Sequence, residues 1–159
     1  ALALLLTTKR IPQLYYGTEV LMNGTKEVTD GDVRKDFLGG FPGDSRNTFM
    51  KEGRTVEEND MFDWLSRLLH WRQSNEVISK GTMIQFLPHD GVYVFARQKD
   101  GKTVLTILNG TTKKVSLDMN RYAEVINDVT SAVDVTTGKN ISLKGHLDLE
   151  PRASMVLDY

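Results

Sequence analysis

Ile11-Pro12-Gln13-Leu14-Tyr15-Tyr16-Gly17-Thr18-Glu19-Val20 separates an apolar segment from a long polar one. The run of large side chains from Gln13 to Tyr16 predicts one short buried strand. Pro12 fixes its own φ and biases Ile11 toward an extended backbone, so a helix ending near residues 8–10 stops before it. Gly17 allows a sharp turn where the strand ends. Upstream, residues 1–8 are helix formers with a continuous apolar surface, and Lys9-Arg10 place positive charge where a helix C-terminus favours it. Such a helix requires burial, and the rest of the chain offers little to bury it against. The pattern also begins without a cap or an initiator Met, which predicts a piece cut from a longer protein.

Downstream, residues 21–54 turn to glycine, aspartate and basic residues, including Asn23-Gly24, Asp30-Gly31, Gly39-Gly40 and Pro42-Gly43-Asp44. A connection of roughly thirty residues is functional or disordered in most proteins. Phe37, Phe41 and Phe49 supply apolar anchors and predict order. Residues 55–74 form the clearest helix: Thr55 and Glu58 have capping-box spacing, and Met61, Leu65, Leu68 and Leu69 follow helical periodicity. Trp64 and Trp71 share a face, which predicts packing against a neighbouring element.

After Asn75 the apolar period switches to two. Strands are predicted at 82–87, 92–98, 103–109 and 113–117, joined by Asp90-Gly91, Asp100-Gly101 and Asn109-Gly110, dipeptides suited to tight hairpins. Read together they predict an antiparallel meander. Shorter strands are predicted at 124–127, 132–136, 141–143, 147–149 and 154–157, and the set implies an all-β antiparallel sandwich. The domain boundary falls near 75–81, giving domains 1–78 and 79–159.

The chain has 159 residues, 40% hydrophobic and 26% charged, enough for one domain or a small domain with part of another. A net charge of -1 with mixed signs gives no electrostatic reason to expect nucleic acid or an anionic membrane as partner. No cysteine is present, which excludes disulfides, thiolate catalysis and cysteine-bound zinc. Residues 1–6 are too short to span a bilayer and lack a preceding positive region, so they predict neither a membrane helix nor a signal peptide. His70, His89 and His146 have no ligand spacing, and no metal site is expected. The glycines at 39, 40 and 43 precede no helix at phosphate-loop spacing, and no Gly-x-Ser-x-Gly elbow occurs.

Chemistry concentrates in the polar loop. Arg34, Asp36, Asp44 and Arg46 are groups capable of bidentate hydrogen bonding, set among glycines and phenylalanines, a mixture suited to sugar hydroxyls and an apolar sugar face. The same residues are equally suited to pin a long loop to its own scaffold. Spacing assigns no catalytic acid or base role to either Asp36 or Asp44.

The succession of residues 11–19, then Val33-Arg34-Lys35-Asp36-Phe37-Leu38-Gly39-Gly40-Phe41-Pro42-Gly43-Asp44, then His70-Trp71-Arg72, then Gly91-Val92-Tyr93-Val94-Phe95-Ala96-Arg97 and Ser154-Met155-Val156-Leu157 resembles the C-terminal third of the α-amylase family of glycoside hydrolases, in its neopullulanase and cyclomaltodextrinase branch. The resemblance covers essentially the whole chain. It departs at Lys9-Arg10, where relatives often have Arg-Gly, and at Leu38, where they often have Pro.

The resemblance implies a fragment of a (β/α)8 barrel, its last strand and last helices, followed by the sandwich. The last barrel strand would end at the active-site face, with the loop after it forming cleft wall. In that family the nucleophile, the acid/base, the stabilising carboxylate and the calcium ligands precede the region this chain matches, so no catalytic residue and no metal or cofactor ligand carries over, although calcium belongs to many relatives. The implied parent acts on α-1,4-linked malto-oligosaccharides, pullulan or cyclodextrins by a retaining mechanism, in an exported location, and the fragment alone is expected to be inactive. Its uncovered barrel pieces predict a homo-oligomer of the fragment. The rival reading is a free-standing β-sandwich that binds carbohydrate or protein, which requires exposed aromatics such as Tyr93 or Tyr122.

Overall fold

Asp90-Gly91 and Asp100-Gly101 hold both of their residues at positive φ, 50° and 73° in the first pair and 50° and 77° in the second. That is the backbone a two-residue hairpin turn requires; the second pair sets the register that places Lys99 opposite Lys102, while the first closes a bridge of His89 to Val92 that is one residue out of step with the ladder pairing Gln85 and Phe95. The computed structural model describes residues 1–159. Two compact units are present, one of Ala1–Pro12 with Arg67–Tyr159 and one of Gln13–Ser66.

The larger unit is built on eight strands: β1 Thr82–Gln85, β2 Val92–Lys99, β3 Lys102–Asn109, β4 Val115–Asp118, β5 Ser131–Asp134, β6 Asn140–Ser142, β7 His146–Leu149 and β8 Ser154–Asp158. Six form an antiparallel sheet in the order β1-β2-β3-β8-β5-β6, and β4 pairs with β7 in a separate ribbon. The meander therefore ends after β3, whose second neighbour is β8. At the break, the Asn109 amide donates to the carbonyls of Lys113 and Glu150, and its oxygen accepts from the Thr111 backbone. These bonds satisfy the outgoing chain without a hairpin, and β4 departs to the ribbon.

Residues of both sheets share one core. Val92, Val94, Ala96, Leu105, Ile107 and Leu157 from the large sheet cluster with Leu117 and Leu149 from the ribbon and with Met119, Tyr122, Val125 and Ile126. The sandwich is thus uneven, with six strands in one layer and a short ribbon in the other. The stretch 124–127, predicted as a strand, is instead a turn of helix, Ala123–Ile126. Val125 and Ile126 are both buried in the same core. Adjacent strand residues point to opposite faces, so burying this pair in one core requires helical geometry. Asp118 starts the preceding turn by accepting from the Asn120 backbone at 3.0 Å. Tyr122 is 2% exposed and packs edge-on against Phe86, and Phe95 is fully buried.

The opposite face of β2 and β3 is also covered. Helix α1, Leu2–Thr7, contacts β3 and β8, and helix α3, Glu76–Lys80, contacts β2 and β3. Ala3, Leu6 and Thr7 are buried, so the apolar N-terminal helix does find cover within the chain. Sequence periodicity missed α3, although its cap was visible: the Asn75 side chain accepts from the Ile78 backbone. On this face Arg97 is fully buried and donates to the carbonyls of Gly81 at 2.7 Å and Thr7 at 3.4 Å. Burial, followed by the charge of Arg72, lowers its pKa.

Helix α2, Val56–Ser74, brings Trp71 to β8, where its indole N–H donates to Asp158 at 2.7 Å and Asn75 adds a second donor at 3.1 Å. Trp64 is half-buried. Trp71→Phe removes one of the two donors from a partly buried carboxylate and is expected to cost about 1.5 kcal/mol in urea unfolding. An unchanged midpoint would show the indole bond to be energetically silent.

The expected strand at 13–16 is absent. The stretch pairs with no other backbone, Ile11 is 96% exposed, and the chain passes into a 3₁₀ turn, Thr18–Val20. A strand exists only through its ladder, and no partner backbone reaches these residues. Gly17 turns as predicted, with φ of 82°. No helix of the structure is long and apolar enough to cross a membrane.

Candidate functional site

The unit Gln13–Ser66 carries all four candidate residues, and it divides them into two pairs. Around the first pair, Tyr15 and Tyr16 lie with ring centroids 4.5 Å apart and are 54% and 44% exposed. Their neighbours are fixed by polar bonds rather than by a strand ladder. The Tyr16 hydroxyl donates to the Lys35 carbonyl at 2.9 Å, and the Thr18 hydroxyl donates to the Tyr15 carbonyl at 2.7 Å. Asp32 accepts from the Thr25 backbone at 2.6 Å and from Lys35 at 2.9 Å. The Lys35 contact, then the Thr25 amide, holds the Asp32 carboxyl below its usual range.

Arg34 and Asp36 are exposed on either side of Lys35. The interaction with the Tyr15 hydroxyl, followed by burial, raises the Tyr16 phenol; the Asp36 charge adds to this and the Arg34 charge opposes it. Tyr15, Tyr16, Thr18, Met22, Asp32 and Lys35 line a small cleft. Arg34 and Asp36 do not line this cleft, whose charged groups are the paired Asp32 and Lys35; the two exposed phenol rings offer an apolar face of the kind a sugar stacks on.

The second pair faces inward. Arg46 donates through Nη1 and Nη2 to the two Glu58 oxygens at 2.6 and 2.7 Å, and through Nη1 to the Gly53 carbonyl at 3.2 Å. Glu58 is 9% exposed and also accepts from the Thr55 backbone at 2.8 Å, while the Thr55 hydroxyl accepts from the Glu58 backbone at 3.2 Å. This is the capping box read from the sequence, with an arginine added to it. The Asp44 carboxylate accepts from the Phe41 backbone at 3.0 Å, and the Asp44 amide donates to the Phe41 carbonyl at 2.9 Å. Arg46 pins the loop base, and Asp44 closes a turn.

Sequence reasoning missed the two tyrosines, which were expected inside a strand. The available signal was Pro12 ahead of them, which removes a donor from any ladder. No group of three or more His, Asp or Glu is arranged to hold a metal ion.

Residues 83–158 match the family described as the cyclo-malto-dextrinase C-terminal domain. The cyclomaltodextrin glucanotransferase of Bacillus licheniformis is 32% identical over 152 residues, covering 89% of this chain and 18% of the relative. The cyclomaltodextrinase of Thermoanaerobacter pseudethanolicus is 24% identical, covering 99% of this chain and 24% of the relative. Among solved structures, AmyP in complex with maltose superposes with a TM-score of 0.70 at 18% identity, over 99% of this chain and 33% of that one. The chain thus spans between 18% and 24% of the length of these two curated relatives. Residues 83–158 belong to the cyclo-malto-dextrinase C-terminal domain family, in a chain that resembles the C-terminal part of α-amylase-family glycoside hydrolases.

Proposed function

We propose that this chain is the C-terminal part of an exported α-glucan hydrolase acting on α-1,4-linked malto-oligosaccharides, pullulan or cyclodextrins by a retaining mechanism. Residues 1–78 complete its catalytic barrel and residues 79–159 form its accessory domain. The catalytic carboxylates, and calcium where the parent uses it, lie in other parts of that protein, so these residues alone do not hydrolyse glucan. The carrying observation is that relatives acting on cyclomaltodextrins align across nearly the whole chain, the polar loop included. Within that loop, Arg34 and Asp36 contact the glucan, and Asp44 and Arg46 hold the loop in shape. Isolated from its parent, the chain self-associates through the segment around Ile11, which stays exposed although the helix before it is covered.

The test compares maltoheptaose binding and hydrolysis by this chain and by the longer gene product. Binding without hydrolysis by the chain, with hydrolysis by the longer product, is the expected result. Hydrolysis by residues 1–159 alone overturns it. Arg34→Ala with Asp36→Ala in the longer product is expected to raise KM about tenfold with kcat nearly unchanged, the signature of lost charge-assisted bonds to bound substrate. An unchanged KM removes these two residues from the cleft.

A further inference from the structure

Phe41 and Phe49 are 63% and 64% exposed, yet the loop that carries them is tightly held. Gly39 and Asn47 form an antiparallel bridge, and Leu38 accepts from both the amide and the hydroxyl of Thr48 at 2.8 Å. The Asn47 side chain accepts from the Phe49 backbone at 3.0 Å, and Asp44 closes the turn that starts at Phe41. Below these contacts the Arg46–Glu58 pair fastens the base. Local bonds therefore fix two large apolar rings in solvent, against the hydrophobic effect.

The rings converge on one glycine. A Cβ added at Gly39 would lie 2.6 Å from Phe41 Cε2 and 2.8 Å from Phe49 Cε2, and Phe37 lies against Phe49 at a tilt of 38° with centroids 4.7 Å apart. The result is an apolar floor with no side chain at its centre. Polar groups border it: the Asp44 carboxylate, which holds the Phe41 amide, and the Asn47 side-chain amide at Gly40. An apolar protein surface laid over this floor would bury the second Asp44 oxygen and the Asn47 side-chain N–H groups, which the turn bonds leave free, without partners. A pyranose ring presents C–H bonds to the rings and hydroxyls to the border, and satisfies both.

We infer that Phe41 and Phe49, meeting across Gly39, are a stacking platform for one glucose ring of an α-glucan. This rests on the glucan reading above and adds a second contact zone, distinct in chemistry from Arg34 and Asp36. Gly39 is the specificity element, because a methyl group there drives the rings apart.

The experiment measures maltoheptaose binding to the chain by calorimetry and by saturation-transfer NMR, for wild type, Phe41→Ala, Gly39→Ala and Arg34→Ala, with light scattering on each. Saturation passing from phenyl protons to sugar, and about tenfold weaker binding in Phe41→Ala and Gly39→Ala at an unchanged unfolding temperature, are expected for loss of an aromatic stacking contact. Gly39 does not sit at positive φ and the colliding atoms all belong to exposed side-chain rings rather than backbone, so that variant is expected to retain its fold. Weaker binding in Arg34→Ala alone overturns the platform and leaves the glucan reading standing. No binding by wild type overturns the platform; if the longer product also leaves glucan intact, the underlying reading fails with it. Loss of a dimer in Phe41→Ala, without any effect on sugar, assigns the rings to a second copy of the chain and overturns the platform.

Discussion

Replacing Arg97 with alanine is expected to destabilise the chain by about 3–5 kcal/mol, the range seen when a large buried side chain is removed and its polar partners are left unsatisfied. Arg97 is fully buried, and the two carbonyls it serves, Thr7 and Gly81, stand at the ends of α1 and α3. Both helix ends present unpaired carbonyls with partial negative charge, so one guanidinium serves two acceptors that water does not reach. No carboxylate pairs with it, its Nε has no partner, and Arg72 lies close enough to oppose its charge. The cation is therefore held by geometry rather than by ion pairing. Arg97→Met separates the contributions: it fills the volume and removes a desolvated charge, leaving only the two carbonyls exposed to apolar surroundings. Its expected loss is about half that of the alanine variant, read from urea unfolding. Equal losses would mean that the carbonyl bonds dominate; no loss in either would mean that α1 is not tied to the sheet through this residue.

The β-domain was legible because its decisive signals are local. Asp-Gly pairs force positive φ within two residues, so the turns at 90–91 and 100–101 followed from the residues themselves. The cap at Thr55 and Glu58 is a four-residue pattern and was equally visible. Where the outcome depends on a distant partner, the same reasoning failed. Residues 13–16 have the side chains of a strand but no backbone to pair with. The stretch 124–127 carries β-formers, yet helical geometry is what puts Val125 and Ile126 in one core. Asn109-Gly110 resembles the other hairpin dipeptides, but the Asn109 amide bonds to Glu150, 41 positions away, and the chain leaves the meander.

The loop shows the same limit at single residues. Arg34 and Arg46 are the same residue type in similar company, and Asp36 and Asp44 likewise. What separates them is Glu58, on the helix that follows, which takes both Arg46 nitrogens, and the Phe41 amide, which takes Asp44. The Phe41 amide lies three residues from Asp44 across Pro42-Gly43, a turn spacing present within the loop, whereas nothing inside the loop implies Glu58 as the partner of Arg46. For the two arginines, contact with substrate and pinning of the scaffold were therefore indistinguishable until the helix was in place.

Glu58→Ala is expected to cost about 2–3 kcal/mol, because one change removes a reciprocal helix cap and leaves Arg46 without its bidentate partner. Glu58→Gln isolates the charge: its amide oxygen still accepts from Thr55, so the difference between the two variants reports the cap and the remainder reports the ion pair. The pH dependence has a definite sign. The Arg46 hydrogen bonds, opposed by burial and aided by the Thr55 amide, lower the Glu58 pKa in the folded chain. A carboxylate of lowered pKa contributes stability that is complete above the unfolded value, about 4.3, and is lost as pH falls through the folded value. The gap in unfolding free energy between wild type and Glu58→Gln should therefore be constant from pH 7 to about pH 5 and close progressively below about pH 4. Taking the difference cancels Asp32, Glu76 and Asp148, whose carboxyls are also lowered but are common to both proteins, whereas Glu57, lowered as well, feels the Glu58 charge and contributes a remainder of opposite sign. A gap that persists undiminished at low pH would mean that the pair contributes through shape alone. Removing Arg46 in both backgrounds then completes a double-mutant cycle, with a coupling of about 1–2 kcal/mol expected for a partly buried bidentate pair.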